Sequence, residues 1–64
     1  MRNNKWKCIL TVLTGMRAAI ELICKDLDPA SEEERWLMSE LGEIHDRLTL
    51  CIGHCEYNAG TAEE

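Results

Sequence analysis

The most chemically capable stretch of this chain is Cys51-Ile52-Gly53-His54-Cys55. Cys51 and Cys55 stand one helical turn apart, so their thiolates could share a Zn²⁺ ion, with His54 on an adjacent face as a third ligand. Folding the chain in half brings Cys8 to the same end, which would complete a Cys₃His set or offer a disulfide partner. Both cysteines also fall in an apolar repeat where small thiols pack as ordinary core residues, and the CxxC knuckles of zinc ribbons are absent. Core packing is the expected role, so no metal and no cofactor is assigned. His45 shares a stripe with Met38 and Ile52 and is expected at an interface edge, the alternative being a pH-sensitive contact. No Ser or Asp is spaced to form a nucleophilic triad with either histidine. The run Glu32-Glu33-Glu34 is a helix-start charge cluster. These residue types point away from an enzyme.

The elements that must position them are helices. Trp6, Ile9, Leu13, Met16, Ile20, Ile23 and Leu27 recur at alternating steps of three and four, and Leu37, Leu41, Ile44, Leu48, Cys51 and Cys55 repeat the pattern. Between them, Asp28-Pro29-Ala30-Ser31-Glu32-Glu33-Glu34 offers two nested helix starts. Either Asp28 caps with Pro29 in the first turn, or Ser31 caps with Glu34 completing a capping box. The expected architecture is an all-α antiparallel hairpin over residues 1–57. Helix one covers about 4–27, the turn 28–30, helix two about 30–57, and 58–64 forms a flexible acidic tail. Folding at Asp28–Pro29 sets Ile20 against Leu37, Met16 against Leu41, Leu13 against Ile44, Ile9 against Leu48 and Trp6 against Cys51.

Placing Trp6, Leu13, Ile20 and Leu27 at heptad position a, with Ile9, Met16 and Ile23 at d, leaves Leu10, Cys24, Met38, His45 and Ile52 at e. These widen the apolar arc beyond what one partner helix covers. They are the expected dimer interface of a four-helix bundle made from two copies. Size supports the same expectation. At 64 residues a lone core is marginal, and self-association is one of the usual remedies.

Composition narrows the function classes. The chain is 45% hydrophobic and 30% charged, with 7 Lys+Arg against 12 Asp+Glu and a net charge of −5. Arg2, Lys5, Lys7, Arg17 and Lys25 face Glu21 alone in residues 1–25, whereas Arg35 and Arg47 are the only cations after that. The overall field repels nucleic acid and anionic membrane, so any such binding would be local to the first helix. The chain has no P-loop, no G-x-G-x-x-G, no credible signal-cleavage site and no run approaching the ~20 apolar residues of a membrane helix. A cytoplasmic protein with reduced thiols is expected.

Length, the two helices, the minimal turn after Leu27-Asp28 and the Leu41…Leu48…Cys51 run before an acidic tail together resemble the Rop family, small plasmid proteins that pair RNA loops as dimeric bundles. The resemblance implies an antiparallel hairpin dimer. That family reads RNA through an outward Lys, Asn, Gln and aromatic stripe on its first helices. The corresponding positions here are Asn4, Thr11, Ala18 and Lys25, with Lys7, Thr14 and Glu21 beside them. They hold no aromatic, so the RNA function is not carried over.

Trp36, Leu50 and Tyr57 fall at c positions of helix two, and Leu22 at c of helix one, off the core stripe. Trp36 either covers the turn or, with Leu50 as a second apolar anchor, meets a partner. Glu40, Glu43 and Arg47 would then orient the approach. The expected function is a small non-enzymatic regulator that binds and inhibits or modulates another protein, a class frequent in phages and mobile elements. The alternative is a Rop-like RNA-binding, or other nucleic-acid-binding, hairpin using the basic first helix.

Overall fold

The computed structural model describes residues 5–62, and the chain there is an antiparallel pair of helices. Helix α1 is Lys5–Asp26 and helix α2 is Glu32–Ala62. They pack side by side into a rod with extents of 52 × 15 × 11 Å. The charges suit the helix dipoles: Lys25 lies in the last turn of α1, and Glu32, Glu33 and Glu34 fill the first turn of α2.

The corner is built from side-chain oxygens. Of the two possible starts, the second is used. Ser31 Oγ accepts from the Glu34 N–H (3.3 Å), and the Arg35 N–H closes the first helical bond to the Ser31 carbonyl (2.8 Å). Glu34 does not return to the Ser31 N–H as a capping box would; it reaches further and accepts from the Asp28 N–H at 2.8 Å. Asp28 forms an Asx-turn through Oδ1 to the Ala30 N–H (2.9 Å), and its carbonyl accepts from the Ser31 N–H (3.0 Å) with Pro29 inside the turn. Arg35 donates to the Pro29 carbonyl at 3.0 Å. The turn is therefore fixed by α2's own first residues.

Helix α2 runs about a turn beyond its expected end near Tyr57. The inward row Leu48, Ile52, Cys55, all buried, continues at helical spacing to Ala59, which is buried too. Asn58 donates from Nδ2 to the His54 carbonyl (2.9 Å), as mid-helix polar residues do. The small polar composition of 58–62 conceals this continuation. Glu63 and Glu64, the end of the expected tail, lie outside the described residues, as do Arg2 and Asn4.

The larger difference is a roll of both helices. The a-position residues Trp6, Leu13, Ile20, Leu27, Leu41, Leu48 and Cys55 face the partner helix as expected. Their companions on the shielded row are the e positions, not d. Leu10, Arg17, Cys24, Met38 and His45 are half-buried and Ile52 is buried, while Ile9, Met16, Ile23, Leu37, Ile44 and Cys51 are exposed. The seam is turned by about 50° from the a/d line, at 100° per residue. Of the expected dimer-interface residues, Ile52 is thus buried by the hairpin itself, and Leu10, Cys24, Met38 and His45 are partly shielded by it. Trp6 meets His54, edge to face at 6.1 Å between ring centroids.

Gly15, Gly42 and Gly53 have open space where a Cβ would stand, so none serves a close approach within the hairpin. Replacing Ile52 with Ala should lower stability by about 2–5 kcal/mol, because its side chain is buried on the seam. The same truncation at exposed Leu22 should change it by less than about 0.5 kcal/mol. Urea titration of the two variants measures both.

Candidate interaction surface

The roll sorts the side chains of the rod into three strips. Along one edge, two hydrogen bonds cross from helix to helix. Arg17 donates from a guanidinium nitrogen to Thr49 Oγ1 at 3.4 Å, and His45 Nε2 lies 2.8 Å from Glu21 Oε2. Thr49 in turn donates to the His45 carbonyl (3.0 Å), which links the two bridges into one network. The bond from His45 holds the Glu21 carboxyl below its ordinary value against a small loss of hydration, with the His45, Arg17 and Lys25 charges adding smaller pulls. A groove of about 530 Å³ opens beside this network, lined by Glu21, Cys24, Leu41, Gly42, His45 and Asp46 among others. The absent side chain of Gly42 gives the groove part of its width.

Along the opposite edge runs an apolar flank: Ile9, Met16 and Ile23 of α1, and Leu37, Ile44 and Cys51 of α2. The five aliphatic members keep 37–48% of their area in solvent. Antiparallel helices rolled the same way place these residues on one side of the pair. The flank is the strip that sequence reasoning assigned to the seam.

The third strip faces directly outward from α2. It holds Trp36, Leu50 and Tyr57 at 65–73% exposure, with exposed Glu43 between them. Glu40 and Arg47 border it and are exposed as well. All five expected partner-binding residues, Trp36, Leu50, Glu40, Glu43 and Arg47, therefore share one face of one helix. With Leu37, Glu33 and Glu34, Trp36 lines a shallow groove of about 370 Å³ at the start of α2. Carboxylates surround the strip, since Glu32, Glu33, Glu34, Glu40, Glu43, Asp46 and Glu56 face only Arg35 and Arg47 in α2.

The cysteines are dispersed. Cys8 and Cys51 are exposed, Cys24 is half-buried and Cys55 is buried, and all four are free thiols. Among the described residues no group of three or more His, Cys, Asp or Glu is arranged to hold a metal ion. His54 is occupied by the Trp6 ring, and Cys55 points into the seam. On α1, Thr11 bonds back to the Lys7 carbonyl at 3.0 Å, and Thr11, Ala18 and Lys25 are exposed. No helix among the described residues is long and apolar enough to cross a membrane. Compared with known proteins, the chain matches no family model, no curated protein and no solved structure.

Two outcomes are expected here. A chelator with a reductant should leave the helical circular dichroism unchanged; a loss of helicity would show that metal or a disulfide holds the fold. The second concerns acid. Because the folded Glu21 carboxyl titrates below its unfolded value, its bond to His45 contributes stability above the ordinary glutamate range, and that contribution is lost as pH falls through the folded pKa. Wild type should melt above Glu21→Gln at neutral pH, and the gap should close in acid.

Proposed function

We propose that this protein is a non-enzymatic interaction module. In this reading two hairpins assemble into a four-helix bundle, and the outward face of α2 binds another protein, whose activity the contact inhibits or modulates. The observation that carries the reading is the outward strip itself: Trp36 and Leu50 keep 65% and 72% of their area in solvent on an acidic helix. Large aromatic side chains dominate the energetics of protein interfaces when a partner covers them. The surrounding carboxylates favour a partner with a basic surface, because complementary charge raises encounter rate and rejects wrong partners. Four free cysteines suit a reducing compartment, which supports a cytoplasmic site of action.

The test is quantitative capture of partners from the native host on immobilised wild type, Trp36→Ala and Lys7→Glu proteins. Trp36→Ala should lose the captured protein while keeping wild-type helicity and sedimentation, because its side chain is exposed. Lys7→Glu should retain it. Capture that survives Trp36→Ala but fails with Lys7→Glu, and that weakens steeply with salt, would replace this reading with a nucleic-acid-dependent one.

A further inference from the structure

The groove beside the polar edge takes its walls from both helices and carries carboxylates around its rim. We propose that it receives an arginine side chain, presented by a basic segment of the partner protein that binds the outward face of α2. This rests on the interaction-module reading above and adds the chemistry by which the partner is recognised.

Floor and rim suit the two ends of that side chain. Ile20 and Cys24 of α1 and Leu41 of α2, all half-buried, make an apolar floor in a space of about 530 Å³. Glu21, Glu43 and Asp46 stand around it and are exposed. Arginine joins an apolar stem to a charged head that stays near water. The stem covers the floor while the head meets the carboxylates. A guanidinium is planar, weakly hydrated and donates in a fork that matches a carboxylate, which a lysine ammonium does not.

The local charge balance selects a cation. Among the described residues Glu43 and Asp46 make no ion pair and no side-chain hydrogen bond. Glu21 places Oε2 on His45 and, as a carboxylate, can accept further bonds. The cations nearby lie outside the groove on α1: Arg17 donates to Thr49, and both Arg17 and Lys25 pull on Glu21 from their own helix. His45 does line the groove, but its Nε2 is turned to Glu21. An acidic or wholly apolar group entering there would strip water from the carboxylates and replace none of its hydrogen bonds.

Gly42 supplies the way in. Ser39, Gly42 and Asp46 follow at helical steps of three and four, so they form one ridge, and Gly42 is the gap in it. A Cβ at Gly42 would meet nothing within 4 Å. Packing inside the hairpin therefore does not call for a glycine, although glycine weakens a helix relative to alanine. A partner seated on Trp36 and Leu50 lies beside this gap, because Glu43, midway between them in sequence, is also on the rim.

Amide-resolved NMR titration of the full chain with N-acetylarginine methylamide tests this, with the lysine and glutamine analogues as controls. The expected result is saturating shifts at Cys24, Gly42, Glu43 and Asp46 with the arginine compound, and binding about tenfold weaker with the glutamine one. Gly42→Leu, which fills the gap and favours the helix, should abolish the saturation while raising the melting temperature. Asp46→Asn should weaken binding several-fold. Equal binding of the arginine compound and either analogue, shifts confined to Glu32, Glu33 and Glu34, or unchanged binding to Gly42→Leu would overturn the proposal. Shifts at the four groove residues that grow with protein concentration before any compound is added would give the groove to a second copy, and would overturn it too. Partner capture from the native host separates this proposal from the reading beneath it. Capture lost with Trp36→Ala and kept with Gly42→Leu leaves the interaction module standing without the groove. Capture indifferent to Trp36→Ala removes the module and the proposal together, even where the groove binds the arginine compound.

Discussion

Two helices in contact share one line, and the residues on that line are fixed by how each helix is rotated about its own axis. Here the rotation brings a and e positions together, and the rest of the molecule follows from that choice. The roll encloses Ile52 and Cys55 and places the Arg17–Thr49 and Glu21–His45 bonds along one edge. It also turns five aliphatic residues and Cys51 out along the other edge. A rotation back by about 50° would exchange these roles, covering Ile9, Met16 and Ile23 while separating the polar groups that now reach across. Neither rotation lets two helices cover every apolar position. A chain with more apolar arc than one neighbour can shield has surface left for another.

The polar edge and the apolar edge therefore complement each other. Exposed hydrogen bonds contribute little net stability each, but they are directional in a way that apolar contact is not. A seam of Leu, Ile and Cys tolerates small rotations, whereas a 2.8 Å contact between His45 and Glu21 does not. The burial sets how tightly the helices associate, and the edge network sets which faces they present. Such division of labour suits a molecule whose exposed strips must be held at a fixed angle to one another.

Helical periodicity, the position of the break and the outward placement of Trp36, Leu50, Glu40, Glu43 and Arg47 were all legible in the sequence. Each depends on spacing or local capping chemistry, which single residues encode. The roll was not legible. Ile9, Met16 and Ile23 form a better apolar row than Leu10, Arg17 and Cys24, and only cross-helix partners such as Thr49 for Arg17 reveal that the mixed row faces inward. The extension of α2 past Tyr57 was hidden for a similar reason, because Asn58-Ala59-Gly60 reads as loop until the burial of Ala59 shows it continuing the inward row. The choice of Ser31 over Asp28 as the cap depended on where the Glu34 carboxylate would reach, a distance that spacing alone leaves open.

The corner formed by Asp28, Ser31 and Glu34 also bears on the entropy of joining the two helices. Its bonds are all local in sequence, so they form without closing a long loop. Once formed, they hold the two helix ends adjacent, and each further contact adds a residue pair next to one already made. Contacts farther along the rod, out to Trp6 and His54, close progressively longer loops, each doubling of length adding only about 0.6 kcal/mol. Topologies of this kind, rich in near-neighbour contacts, fold on the microsecond-to-millisecond scale. The Trp6–His54 contact stands at the far end of the rod from that corner, where it closes the longest loop of the contacts described.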